Sequence, residues 1–161
     1  MLKKKKMEVK KLVAYFSATG KTKGVSLKLG QMMKADTYEI KPKEKYTEAD
    51  LNWTNKKSRS SIEMGDPKSR VELSDKSANI SNYDTIYLGF PIWWGVAPHI
   101  INTFLESYDF KGKTIVIFAT SGGSGIGKCA ENLKDSANGA TIKIGGLVNS
   151  DLVLKKIMEI Q

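Results

Sequence analysis

At 161 residues the chain fits one compact domain spanning 1–161, and its apolar runs fall far short of the roughly 20 residues that cross a bilayer, so a soluble protein is expected. One cysteine, Cys129, and one histidine, His99, exclude an internal disulfide and a Cys/His metal site, which fits a reducing cytoplasm and no metal. The net charge of +9 is uneven, with six lysines against Glu8 in residues 1–11; residues 1–9 read as a solvated basic tail, and without interleaved aromatics or zinc-finger spacing the excess does not point to nucleic acid.

Residues 11–16 are a short β-rich run that reads as a buried first strand. The hydroxyl-rich turn Ser17, Ala18, Thr19, Gly20, Lys21, Thr22 follows, and Val25, Leu29, Met32 and Met33 then share one face of a helix over about residues 21–33. Such a turn is either an ordinary helix start or an anion site, because first-turn amides lack intrahelical partners and the helix dipole favours negative charge. Residues 37–40 suggest a short second strand ahead of Pro42.

Residues 43–82 are irregular and polar, and about forty residues exceed an ordinary connection, so they read as a decorated crossover or a lid. Thr47 with Asp50 three residues later suggests a capped helix there, Trp53 either pins the excursion or faces a ligand, and Lys56, Lys57, Arg59 and Arg70 read as solvated.

A continuous apolar strand at 85–90 leads into Pro91, Ile92, Trp93, Trp94 and Gly95, then a helix after Pro98 with Ile100, Ile101, Phe104, Leu105 and Tyr108 on one face. His99 has no nucleophile or carboxylate close in sequence, so it reads as structural and no catalytic side chain is assigned. A fourth strand at 114–119 ends in Thr120, Ser121, Gly122, Gly123, Ser124, Gly125, and Cys129 falls on the buried stripe of the helix that follows. Residues 141–148 form a weaker strand interrupted by Gly145 and Gly146, and a helix capped by Ser150 or Asp151 closes the chain.

Strands alternating with helices imply an α/β fold, a five-stranded parallel sheet in the order 2-1-3-4-5 with helices on both faces in three αβα layers. The loops at Ser17, Pro91 and Ser121 then meet at the carboxyl edge of adjacent strands, where such sheets bind ligands.

Two nucleotide motifs are decoys. Gly122 to Cys129 reads GGSGIGKC, a P-loop in all but its last position, where sulfur replaces the hydroxyl that Mg²⁺ needs. Gly125, Gly127 and Ala130 match a dinucleotide fingerprint, but only 31 residues follow, too few for a second mononucleotide half.

The three loops together resemble those of the flavodoxins, short-chain type, over residues 10–160. The resemblance implies a flavodoxin-like fold and FMN as cofactor. Ser17, Thr19, Gly20, Lys21 and Thr22 would hold its phosphate, Pro91, Ile92, Trp93, Trp94 and Gly95 would pack on the isoalloxazine, and Ser121, Gly122, Gly123 and Gly125 would meet the other edge. Lys21 stands where the family commonly has Asn and adds a cation beside the phosphate. Many flavodoxins are acidic whereas this chain is basic, so its redox partner proteins are expected to present an acidic face. The implied function is electron transfer between such partners. The alternatives are an NAD(P)H-dependent FMN oxidoreductase that reduces a quinone, with residues 43–82 as its lid, and a flavin-bound regulatory protein.

Overall fold

The computed structural model describes residues 10–120 and 126–160. The basic tail at 1–9 lies outside them.

Five parallel strands, β1 (Lys11–Tyr15), β2 (Asp36–Glu39), β3 (Thr85–Phe90), β4 (Thr114–Ala119) and β5 (Thr141–Leu147), are ordered β2-β1-β3-β4-β5, as expected. Leu12, Ile86, Ile115 and Ile142 stand side by side across four of them. Because strand side chains alternate in direction, Leu12, Ala14, Ile86, Leu88, Ile115 and Ile117 enter one core, while Val13, Tyr87, Val116 and Phe118 enter another. Helices α1 (Lys21–Met33) and α5 (Asp151–Met158) cover the second core through Leu29, Leu154 and Ile157. Helices α3 (His99–Glu106) and α4 (Gly127–Leu133) cover the first through Ile100, Phe104, Leu105, Cys129 and Leu133. Each such side chain, removed from water, contributes about 1.5–3 kcal/mol.

The glycines of β5 have a mechanical role. Ile117 faces Ile144 but Phe118 faces Gly146, so Gly145 bulges out of register. A Cβ on Gly145 would stand 2.9 Å from the Ile117 carbonyl oxygen. Ser150 precedes α5 but makes no side-chain cap; Asp151 instead pairs with Lys28 of α1 at 2.7 Å.

The helix expected from Thr47 does not form, although its capping box does. The Thr47 amide donates to Asp50 Oδ2 (2.9 Å) and the Asp50 amide to Thr47 Oγ1 (3.1 Å). The chain then leaves helical geometry, because Asn52 and Asn55 accept from the backbone amides of Thr54 and Lys57, the local bonding that competes with a helix. The helix of the excursion is α2 (Arg59–Gly65), whose Ser58 cap accepts from the Ser61 amide. Nor does Trp53 pin the segment, being 71% exposed.

Arg59 and Arg70 hold the segment instead, Arg59 from within it and Arg70 to α3. Arg59 donates to Glu63 Oε2 (2.9 Å) and the Glu44 carbonyl (2.8 Å), and Arg70 makes a two-pronged pair with Glu106 of α3 at 2.9 and 3.0 Å. His99 is a third anchor: Ser69 Oγ lies 2.7 Å from its Nδ1 and donates to the Glu63 carbonyl at 2.6 Å. With the Ser69 proton committed to that carbonyl, Nδ1 is the donor of the Ser69–His99 bond, so the pair is a strut with no nucleophile.

Burial, and then the nearby Arg70 guanidinium, lower the His99 pKa below the ordinary value. The unfolded chain therefore takes up a proton that the folded chain resists, so His99 adds stability above about pH 6.5 that fades as pH falls through and below that value. Urea unfolding should show a midpoint that drops more between pH 7.5 and 5.5 in the parent than in His99→Gln; parallel curves would contradict this account.

Candidate functional site

The carboxyl ends of β1, β3 and β4 lie at the same edge of the sheet, and the loops after β1 and β3 leave it towards opposite faces. Ser17 shapes the first loop by accepting from the Gly20 amide at 3.0 Å, and Gly20, at φ 98°, turns the chain into α1. The first bond inside α1 is from the Gly24 amide to the Gly20 carbonyl (3.0 Å), so the amides of Lys21, Thr22 and Lys23 have no acceptor within the helix. No side chain caps this end, and its first turn holds no acidic residue. Thr22 is buried, and its hydroxyl lies 2.8 Å from that of Thr120, tying the β1 loop to the end of β4.

A cavity of about 310 Å³ opens there, lined by Ala18, Thr19, Lys21, Thr22, Leu51, Pro91, Ile92, Trp93 and Thr120. It brings together Thr19, Lys21, Thr22, Pro91, Ile92 and Trp93 of the expected residues. Ser17 lines a separate cavity on the β2 side. Gly20, with Lys21, borders a larger depression of about 660 Å³ between α1 and the start of α5. The smaller cavity is the better candidate, because polar turn and apolar wall converge on it. The expected contacts of Ser121, Gly122, Gly123 and Gly125 lie outside the described residues.

The two tryptophans differ. Trp93 packs edge-on against Phe16 (5.7 Å between centroids) and Tyr46 (5.4 Å). Trp94 is 52% exposed and sits at φ 51°, next to Gly95 at φ 82°. The Trp93 and Val96 amides and carbonyls close the turn at 2.9 and 3.1 Å, and positive φ at both central residues is the type I′ pattern. Buried Cys129 points its thiol at the Gly95 carbonyl, 3.9 Å away, and burial pushes its pKa up to about 11.

Leu51, Tyr46 and Thr120 escaped sequence reasoning as site residues. Tyr46 reaches Trp93 because Arg59 lies over its ring (3.8 Å to the centroid) and its hydroxyl donates to Glu63 at 2.5 Å. Burial and then the Glu63 carboxylate raise the Tyr46 pKa far above the ordinary phenol, so it stays protonated. Thr120 stood in the TSGGSG run, but nothing in the sequence around Leu51 signals a site.

A family model of the flavodoxins matches residues 10–160. The chain belongs to the flavodoxin family. A flavoprotein of known structure from Bacteroides eggerthii is 47% identical, covering 96% of this chain and 100% of its own, with a TM-score of 0.88. One from Bacteroides uniformis is 46% identical over 95% of this chain and 100% of its own, with a TM-score of 0.85. A Lactobacillus acidophilus flavoprotein solved in complex with FMN shares the fold at 24% identity, with 94% and 100% coverage and a TM-score of 0.68. No curated protein sequence matches. Among the described residues of this flavodoxin-family chain, no helix is long and apolar enough to cross a membrane, and no group of His, Cys, Asp and Glu could hold a metal ion.

The different roles of the two indoles have a measurable consequence. Trp93→Ala should lower the stability of the FMN-free protein by about 2–4 kcal/mol in urea unfolding, as for loss of a packed aromatic. Trp94→Gly should cost less than about 1 kcal/mol, since relief of the left-handed backbone offsets the loss of a half-exposed ring.

Proposed function

We propose that the chain binds FMN in the cavity at the start of α1 and carries electrons between redox partner proteins. The observation that best supports this is the meeting of two unlike surfaces. Free amides of α1 and the hydroxyls of Thr19 and Thr22 suit a phosphate monoester, and the wall of Leu51, Pro91, Ile92 and Trp93 suits a flat aromatic ring. FMN, when bound, supplies one- and two-electron transfer.

The residues of the chain bind, orient and exclude water. Ser17 and Gly20 hold the turn, Thr19 and Thr22 offer hydroxyls, the α1 amides donate, and Lys21 adds a positive charge. Pro91, Ile92 and Trp93 form the apolar wall, and Trp94 and Gly95, which follow them in the chain but do not line the cavity, would reach the ring by family resemblance. With Trp93 packed against Phe16 and Tyr46, Trp94 is the indole with surface to lay on the ring. By family resemblance Ser121, Gly122, Gly123 and Gly125 would serve the opposite edge. The basic charge favours partners with an acidic face, and the free, buried Cys129 suits a reducing cytoplasm.

FMN titrated into the apoprotein should quench flavin fluorescence at a 1:1 endpoint, and Lys21→Glu should weaken binding at least about tenfold, the loss of one charge-assisted contact. Unchanged affinity would remove this turn from the phosphate site.

A second reading rests on the excursion, since Tyr46 and Leu51 place residues 43–82 beside the cavity. They would then form the substrate side of an NAD(P)H-dependent FMN oxidoreductase that reduces a quinone. Holoprotein mixed with NADPH and a benzoquinone separates the two: the carrier reading expects turnover no faster than free FMN, and sustained NADPH oxidation assigns the reductase.

A further inference from the structure

Beside the Ser17–Gly20 turn, next to the end of β2, lies a cavity of about 370 Å³ that shares only Ser17 with the residues assigned to FMN. Its apolar surface comes from Phe16, Ile40, Pro42 and Tyr46, and its charges from Lys23, Lys41, Lys45 and Glu39. Glu39 lies 3.9 Å from the Lys23 ammonium and offsets part of that charge. Among the described residues, the ammonium groups of Lys41 and Lys45 have no carboxylate within ion-pair distance. Serine hydroxyls of Ser17 and Ser74 complete the lining.

The walls are held in place independently of any ligand. The Ser74 amide donates to the Lys41 carbonyl and the Lys43 amide to the Glu72 carbonyl, both at 2.8 Å, clamping the strand end that carries Lys41 and Pro42. Tyr46 is fixed by Arg59 and Glu63. Lys41 and Lys45 stand exposed at this cavity, and their uncompensated charges together favour an anion there, an attraction that salt screens.

We propose that this cavity is a second binding site, separate from the FMN cavity, for a small aromatic anion. Lys41 and Lys45 neutralise its phosphate or carboxylate, and Pro42 and the accessible part of Tyr46 take its ring. The two cavities share Ala18 as a common wall, so a molecule here would sit beside the turn assigned to the flavin phosphate without occupying it.

The test uses phenyl phosphate as probe and FMN-saturated protein, with saturation verified beforehand by the flavin fluorescence titration, so that failure of the FMN reading appears in that earlier step. In ¹⁵N-labelled holoprotein, phenyl phosphate should saturably shift the amide signals of Phe16, Ile40, Lys41 and Tyr46 without releasing FMN. Benzyl alcohol, which has the ring but no charge, should bind at least tenfold more weakly. The double variant Lys41→Glu/Lys45→Glu should lose at least tenfold in affinity for phenyl phosphate and less than twofold for FMN, and the milder Lys41→Gln/Lys45→Gln should fall between. Absence of saturable shifts, release of FMN by the probe, or affinity unaltered in both variants would overturn the proposal.

Discussion

Alternate residues of β1, β3 and β4 are buried in two different cores, so these central strands meet solvent only at their ends. A parallel sheet in this state leaves no face for chemistry, and polar function collects on the loops at the carboxyl edge. Here α1 leaves β1 towards one face and α3 leaves β3 towards the other, which opens the crevice at their junction. The buried bond between Thr22 and Thr120, 98 residues apart in sequence, locks one rim of that crevice to β4. The turn that presents free amides is thus braced by the two cores themselves, and little local rigidity has to come from the turn.

Legibility followed the range of the interactions. The strands could be read from continuous apolar runs, and the convergence of the Ser17 and Pro91 loops followed from the strand order alone. Failures came where a local signal met a competitor or a distant partner. Thr47 and Asp50 form their capping box, but Asn52 and Asn55 capture the next backbone amides and the helix stops before it starts. His99 has no serine, cysteine or carboxylate close in sequence; Ser69, thirty positions away, supplies a hydroxyl partner through folding of the excursion. Leu51 carries no local sign of a role, because its place at the cavity depends on how the whole excursion is folded against the β1 and β3 loops.

That dependence changes how residues 43–82 are understood. They are neither loose nor self-contained. Arg59 braces the segment from within, Arg70 and Ser69 fasten it to Glu106 and His99 of α3, and Tyr46 conveys its position to Trp93 through ring contact at 5.4 Å. A protonated Tyr46 is a condition for this, since a phenolate beside the Glu63 carboxylate would place two negative charges in contact; burial and that carboxylate both oppose ionisation. The excursion therefore serves as a wall for two cavities at once, one on each side of the β1 turn.

Trp94 obeys a different logic from every other large aromatic near the site. Its left-handed backbone costs about 1–2 kcal/mol for a residue other than glycine, and asparagine is the usual occupant of this position in a type I′ turn. Half of its ring faces solvent, so packing within the chain recovers only part of that cost. Trp93, one residue earlier, satisfies the packing demand already through Phe16 and Tyr46. Strain held at an exposed aromatic in the loop after β3 fits the proposed flavin contact, because an indole already aimed need not be ordered when the ligand arrives. On the proposed FMN reading, the turn gives up folding stability to hold a binding surface ready, which would account for the least favourable backbone angle of the loop.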